Sequence, residues 1–176
     1  GDKTFERIAM LQGELDLPPQ TLSTRAVWIT PLAAVLEDIK GLGYSPLSGI
    51  VGAKNLLMTA LSMLAMSDLR DIWGIVNTSQ APPVSIFLYD RYPGGIGYAE
   101  KGFDRIGDLL QRALDMLKSC PCGNGCPSCV GLPNVRPPLH QDPEIYSGGM
   151  IPDKLTTQIL LDTLMASSGL RPVRDK

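Results

Sequence analysis

The cysteines of this chain are confined to one short run. All four fall within ten residues, in the segment Cys120-Pro-Cys122-Gly-Asn-Gly-Cys126-Pro-Ser-Cys129. The spacing C-x-C-x3-C-x2-C is typical of a four-thiolate metal site, and structural zinc prefers a closed tetrahedron of such ligands. Because metal binding contributes folding free energy, a loop of this kind needs no core of its own. The spacing therefore predicts a structural zinc site in this loop.

Other chemistries of the same residues remain open. An iron–sulfur cluster also takes four cysteines and is the main alternative, and with it a redox role. Two disulfides would suit a secreted protein, whereas this chain opens with no signal peptide and clustered cysteines more often bind metal. A catalytic zinc normally keeps one position open to water, so four cysteines and only one histidine argue against it. The single histidine, His140, is expected on a surface loop.

Length and composition set broad limits. A chain of 176 residues with 44% hydrophobic content suits one domain with a sizeable core. Its net charge of −2 gives no broad basic footprint, so we expect little nonspecific affinity for nucleic acid from this chain alone. We expect no membrane partner, because no apolar run reaches membrane-spanning length without polar residues. Gly1 resembles the scar of a cleaved expression tag, so we expect a piece of something larger.

Hydrophobic periodicity and turn residues predict the elements that carry the cysteine loop. We predict a hairpin within 3–17, strands at 24–30, 72–78 and 84–89, and helices at 31–40, 48–66, 98–119 and 153–167. The predicted fold class is α/β (mixed α+β). We expect a small mixed sheet packed with helices, and a four-cysteine zinc loop after the long helix.

Three further predictions concern side chains: the N-cap of the second helix, its methionines and the two tryptophans. The second helix is apolar nearly all round, so it should be buried, with Ser48 as its N-cap. We expect its methionines to fill the core. The two tryptophans lie on predicted strands and are expected in the core, with a base-stacking platform as the alternative. The methionines are Met58, Met63 and Met66, and the tryptophans are Trp28 and Trp73.

Two further groups of residues could carry chemistry. Pro93, Gly94, Gly95 and Gly97 precede a helix, where backbone amides can hold a phosphate. They lack the ending of a nucleotide-binding P-loop, so we favour a structural turn that needs positive φ. A carboxylate cluster is the second group, although such residues commonly form turns and caps. Its members are Asp68, Asp71 and Asp90. We assign no catalytic residue and no nucleic-acid-binding residue.

Five segments together resemble one family. They are Ser23–Trp28, Asp71–Gly74, Ile86–Asp90, Tyr92–Gly97 and Cys120–Cys129. In this order they resemble the C-terminal zinc-binding domain of the MrfA/YprA-type DEAD/DEAH-box DNA repair helicases. The resemblance implies that Cys120, Cys122, Cys126 and Cys129 are the zinc ligands. Where the family often has Gly-x-x-His-Ala, this chain has Gly52-Ala-Lys-Asn55, which puts any role of that histidine in doubt.

The resemblance also implies an organisation. Residues 1–20 would continue from a preceding domain, 21–131 would form the zinc-binding domain, and 132–176 would add a loop and a helix packed on it. The chain would be a non-catalytic module of an ATP-dependent superfamily 2 helicase that moves 3′ to 5′ and acts in DNA repair. It would scaffold the motor and help enclose DNA.

The expected partners follow from that role. They are the motor domains of the same chain and DNA, at the nucleoid of a prokaryotic cytoplasm. No Walker or helicase motif is present in the chain, so we expect no activity from it alone; ATP and Mg would belong to the parent motor. A protein-interaction subunit module of an antiphage defence complex is the alternative, because the same domain occurs in companion proteins without a motor. A small enzyme that uses the carboxylate cluster is a further one.

Overall fold

The computed structural model describes residues 21–77, 84–132 and 151–166. Five helices and three strands lie in these residues, so the α+β class is confirmed. They are β1 (Ala26–Ile29), α1 (Ala33–Gly41), α2 (Pro46–Ala65), β2 (Ile72–Asn77), β3 (Ser85–Asp90), α3 (Tyr98–Asp104), α4 (Ile106–Ser119) and α5 (Lys154–Ala166). The predicted hairpin at 3–17 and His140 lie outside the described residues.

The sheet has three strands in the order β1-β3-β2. Both neighbours pair antiparallel with β3, so among the described residues the sheet is antiparallel and not mixed. Side chains alternate between the two faces of a strand. The inner face is buried and contributes Val27, Ile29, Ile72, Ile86 and Leu88 to the core. The helices α2 and α3 cover this inner face.

The helix α2 is the centre of the core, as its apolar sequence predicts. Its contacts include α3, α4, α5 and the strands β2 and β3. Length and composition alone would let it cross a membrane, but 67% of its most apolar window is buried inside the protein, as in a core helix. The helix begins at Pro46, whose fixed φ suits a first turn, after Ser45. The prediction of Ser48 as N-cap is wrong, since Ser48 is buried within the helix.

Four side chains that were expected in the core are exposed. Met63 and Met66 on α2 are 51% and 87% exposed, and Trp28 and Trp73 are 48% and 42% exposed. Strand alternation places both tryptophans on the outer face of the sheet. Of the three methionines named above, Met58 alone packs against the core, where its side chain lies over Gly74 of β2.

The residues predicted to form one helix, 98–119, form two helices, so the prediction of a continuous helix is wrong. The break is at Arg105, whose φ of −119° and ψ of 37° leave the helical region. Gly102 and Gly107 lie on either side of it, and glycine has a low helix propensity. The break lets α3 lie against β1 and β3 while α4 packs on α2 and α5. The buried stripe of α4 is Leu109, Leu110, Ala113, Leu114 and Leu117.

Two glycines of α2 allow the close approach of α5. A Cβ at Gly49 would lie 2.9 Å from the backbone carbonyl of Thr156, and one at Gly52 would clash with the hydroxyl of Thr157. That hydroxyl donates to the carbonyl of Asp153 at 2.6 Å, so it cannot turn away without losing a hydrogen bond. The packing of the last helix on the core therefore depends on missing side chains in α2.

We predict that Gly52→Ala lowers the free energy of unfolding by about 1–3 kcal/mol, the usual cost of overpacking. Gly107→Ala is the matched control, because its Cβ would meet nothing within 4 Å. The control should be neutral or stabilising by up to about 1 kcal/mol, since alanine favours the helix. Urea unfolding followed by circular dichroism measures both. Equal midpoints for Gly52→Ala and the parent chain would contradict the close packing of α2 and α5.

Candidate metal centre

The four cysteine thiols converge on one point. All four Sγ atoms lie within 4.8 Å of one another, and none is in a disulfide. The Sγ–Sγ distances are 3.5 Å for Cys120–Cys122, 3.6 Å for Cys120–Cys126, 3.4 Å for Cys122–Cys129 and 3.7 Å for Cys126–Cys129. A tetrahedron with Zn–S bonds of about 2.3 Å places its sulfurs about 3.8 Å apart. The four cysteines are thus positioned to bind one metal ion.

The same distances bear on the iron–sulfur alternative. In a four-iron cluster each thiolate binds a different iron atom, so the sulfurs stand around a whole cluster and are separated more widely. Here the hydrogen-bonded pairs lie 3.4–3.7 Å apart. This spacing fits four ligands on a single ion.

The metal loop, residues 120–129, is built from the end of α4 and a tight turn. Cys120 is the first residue after α4 and has an extended backbone, with φ −74° and ψ 126°. In the turn, the N–H groups of Cys129 and Val130 donate to the carbonyl of Cys126, and the Cys126 N–H donates to the Cys129 sulfur at 3.3 Å. Cys129 and Val130 are buried in the core. The loop therefore has one corner fixed in the core and the rest half-buried or exposed.

The first residue of α5 holds the loop from a second side. The Lys154 ammonium donates to the carbonyls of Cys120 at 2.6 Å and Cys122 at 2.8 Å, and its backbone N–H donates to the carbonyl of Asn124 at 3.0 Å. Four thiolates around a divalent ion carry a net charge of about −2, so this cation also offsets charge at the site. The contact of Lys154 with the metal loop could not be predicted from the sequence, because 34 residues separate Lys154 from Cys120 and no motif connects them.

A residue of α2 holds the loop from a third side. The Asn55 side-chain amide donates to the carbonyl of Val130 at 2.8 Å, and Gly131, with φ +83°, lies against the same side chain. Asn55 stands where the resembled family often has histidine. An N–H donor is what the Val130 carbonyl requires, and the asparagine supplies it. Asn55 therefore links the core helix to the residue that follows Cys129.

Hydrogen bonds and burial shift the pKa values of two of the thiols in opposite directions. The Cys120 side chain and the backbone at Ser128 and Cys129 form hydrogen bonds that lower the pKa of Cys126 to about 6. Burial raises the pKa of Cys129 to about 12. In this arrangement Cys126 becomes a thiolate more easily than Cys129, whose proton the metal must displace.

The turn that precedes α3 is organised by a buried carboxylate. Asp90 accepts hydrogen bonds from the N–H groups of Ile96 at 2.6 Å, Gly97 at 2.9 Å, Tyr98 at 3.3 Å and Ala99 at 2.8 Å. Gly94, Gly95 and Gly97 have φ values of +78°, +76° and +95°, which allow the chain to curl around it. Those four amides are occupied by the protein's own carboxylate, so they do not present a phosphate cradle.

The other two aspartates also have local partners. Asp68 accepts from the backbone N–H of Arg70 at 2.8 Å. Asp71 accepts from the Tyr92 hydroxyl at 2.9 Å, and this bond to a carboxylate raises the pKa of Tyr92. Asp90 is directed instead at the turn before α3. Asp68 stabilises the turn before β2, and Asp71 and Asp90 stabilise the segment between β3 and α3, which is the structural role that the sequence favours for them.

Comparison with known proteins places the metal loop in a family. Residues 53–130 match the family model of the MrfA Zn-binding domain. The chain is 36% identical over 130 residues to the ATP-dependent helicase YprA of Bacillus subtilis, across 73% of this chain and 17% of that protein. It is 26% identical over 125 residues to the ATP-dependent helicase HRQ1 of Saccharomyces cerevisiae, across 64% of this chain and 12% of that protein.

A solved structure agrees with these matches. The crystal structure of the DUF1998 helicase MrfA bound to DNA is similar to this chain with a TM-score of 0.59 and 30% identity. The match covers 84% of this chain and 18% of that protein. This chain thus spans less than a fifth of the length of each helicase that it matches.

We predict that zinc affinity falls as the pH falls, because protons compete with the metal for thiolates. Because the pKa of Cys126 is lowered to about 6 and that of Cys129 is raised to about 12, both of these thiols favour protonation below about pH 6 in the metal-free chain. The apparent affinity should fall at least about tenfold per pH unit from pH 6 to pH 5. Competition with a chromogenic chelator across pH 5–8 measures it. A constant affinity over that range would contradict thiolate ligation.

We predict that Lys154→Met weakens zinc binding by about tenfold, the lower end of the effect of supporting residues around metal ligands. The variant removes the two hydrogen bonds to the loop and a positive charge. Lys118→Met is the matched control, because Lys118 pairs with Asp162 of α5 at 2.8 Å but is not hydrogen-bonded to the metal loop. Chelator competition on both variants measures the effect. Equal affinities for the two variants would contradict a role for Lys154 at the site.

Proposed function

This chain belongs to the MrfA zinc-binding domain family, and from that premise we propose that it serves as a non-catalytic zinc-binding module of an ATP-dependent DNA helicase. The observation that carries the proposal is the convergence of four sulfurs, at 3.4–3.7 Å, in a chain whose relatives are ATP-dependent helicases. The DNA in the MrfA crystal structure supports DNA as the substrate of the larger protein.

The proposed zinc ligands are Cys120, Cys122, Cys126 and Cys129. Four protein ligands close the tetrahedron, so no position is left for a reacting water, and the metal acts as a structural element. The metal loop joins α4, α2 and α5 through Cys120, Asn55 and Lys154. Zinc in this place would hold the end of α4 and the start of α5 against the middle of α2.

The motor functions lie in the remainder of such a helicase. ATP and Mg would bind the motor domains, and the present chain would scaffold that motor and help enclose DNA during 3′-to-5′ movement in repair, at the nucleoid of the cytoplasm. Residues 1–20 would lead from the preceding domain, 21–131 would form the zinc-binding domain and 132–176 would complete it. The packing of α5 on α2 and α4 supports one unit for the last two segments.

The alternatives receive less support. A protein-interaction module of an antiphage complex is not favoured, because the relatives that match over most of the chain are helicases. A small enzyme built on Asp68, Asp71 and Asp90 would need carboxylates free to act together. Each of the three instead accepts hydrogen bonds that hold a turn of the chain.

We predict that Cys126→Ser abolishes stoichiometric zinc binding and lowers the free energy of unfolding by on the order of 4 kcal/mol or more, as the loss of a metal site does. Ser128→Ala is the matched control, because Ser128 is exposed in the same loop and its side chain is no ligand. Elemental analysis against protein concentration and thermal unfolding measure both. A Cys126→Ser chain with full zinc content and an unchanged melting temperature would contradict the ligand assignment.

The helicase role is tested on the longer protein. The reading frame that encodes this chain should also encode a helicase motor, and that protein should hydrolyse ATP and unwind a duplex with a 3′ single-stranded tail. In that protein Cys126→Ser should impair unwinding while Ser128→Ala should not. A motor-free reading frame, or a long protein with no DNA-dependent ATP hydrolysis, would overturn the proposed function.

A further inference from the structure

The outer face of the sheet is exposed and largely aromatic. We define the outer sheet face by the outward side chains of the three strands: Trp28, Trp73, Ile75, Phe87 and Tyr89. The strand register arranges them in two rows across the sheet, Trp28-Phe87-Ile75 and Tyr89-Trp73. Trp28, Trp73 and Ile75 are 48%, 42% and 44% exposed. Surface aromatic residues in a contiguous patch of this kind mark interaction sites.

The rings are arranged as a stacking platform. The Trp28 and Phe87 centroids lie 6.2 Å apart with an interplanar angle of 28°. The Arg91 guanidinium lies over the Trp73 ring, 5.0 Å from its centroid. The two rows are separated by two residues along each strand, which is about 7 Å. The aromatic rings of the two rows therefore lie side by side on one hydrogen-bonded sheet.

Three exposed arginines lie at one end of this face. Arg25 precedes β1, Arg70 precedes β2 and Arg91 follows β3, and the antiparallel order brings all three to the same end of the sheet. All three side chains are exposed. The ion pairs in the described part of the chain lie elsewhere, between Lys40 and Glu37, Arg105 and Asp108, and Lys118 and Asp162.

Three carboxylates lie at the arginine end as well. Asp71 accepts the hydrogen bond of Tyr92, and Asp68 that of the Arg70 backbone. The buried Asp90 accepts hydrogen bonds from the backbone N–H groups of the turn before α3. The formal charges of the three arginines and three carboxylates balance, but the exposed side chains at this end are the three arginines and Asp68, with Asp71 half-buried.

We propose that the outer sheet face binds single-stranded DNA, with bases stacked on Trp28 and Trp73 and phosphates beside Arg25, Arg70 and Arg91. Stacking on an exposed aromatic ring contributes about 1–3 kcal/mol per base and accepts every base. A duplex hides the faces of its bases, so the ligand is a single strand. The inference rests on the proposed function, which it deepens by naming the surface that contacts DNA.

The fluorescence of this chain gives a direct test. Trp28 and Trp73 are its two tryptophans, so all intrinsic tryptophan fluorescence originates from the proposed surface. The zinc-loaded chain is titrated with a twelve-nucleotide oligothymidylate at low salt, and saturable quenching is expected. An abasic oligonucleotide of equal length keeps the phosphates but has no bases. It should bind at least about 30-fold more weakly, the lower limit for the loss of two stacked bases, and should not quench.

Variants separate stacking from charge. With a fluorescently labelled oligothymidylate, Trp28→Ala should weaken binding at least about fivefold, and Trp28→Phe should restore most of the affinity. Arg91→Gln should lower the slope of log affinity against log salt by about 0.7, the contribution of one phosphate on a single strand. Met63→Ala is the control, because Met63 is equally exposed but lies on α2. Circular dichroism and zinc content confirm the fold of each variant.

Three results would overturn the proposal. Equal affinity for the abasic and the normal oligonucleotide would show binding to phosphates alone. Equal affinity for duplex and single strand would exclude stacking. Absence of quenching by any oligonucleotide, with zinc bound, would assign the face to a protein contact instead. In that last case a longer protein that still binds and unwinds DNA would leave the proposed function intact.

Discussion

The convergence of four sulfurs on one point, where they could bind a single ion, is the constraint on which the rest of the structure depends. The metal loop offers few apolar side chains to the core beyond Cys129, so burial cannot order it. Fixing the backbone of ten residues costs on the order of 10–20 kcal/mol. A structural zinc contributes about 10–16 kcal/mol in small zinc domains, which is of the same size. The ion and the loop therefore form one folding unit.

This unit also sets the position of its surroundings. The loop starts at the end of α4, is hydrogen-bonded to α2 through Asn55, and is held by the first residue of α5 through Lys154. Those three helices pack on one another across the core. An ion that orders the loop would thereby hold the end of α4 and the start of α5 against the middle of α2. Distortion at the sulfurs would be transmitted to α2, which covers the inner face of the sheet together with α3.

Local patterns in the sequence predicted much of this arrangement. Cysteine spacing predicted that the four sulfurs lie together, because residues this close in sequence are also close in space. Apolar stripes located the described helices, whereas the break at Arg105 depends on packing against the sheet. The contacts of Asn55 and Lys154 join residues 75 and 34 positions apart, which no local pattern reveals. Both faces of the strands are apolar, so alternation could not decide which face Trp28 and Trp73 occupy.

In the proposed module the metal loop and the sheet have different roles. The ion would maintain the shape of the domain, and the outer sheet face would contact single-stranded DNA. Both depend on the identity of the ligands. X-ray absorption at the zinc edge of the purified chain tests that identity most directly. We predict four sulfur scatterers at about 2.3 Å and no second metal nearby. Nitrogen or oxygen in place of any sulfur, or a folded chain that carries no zinc, would contradict it.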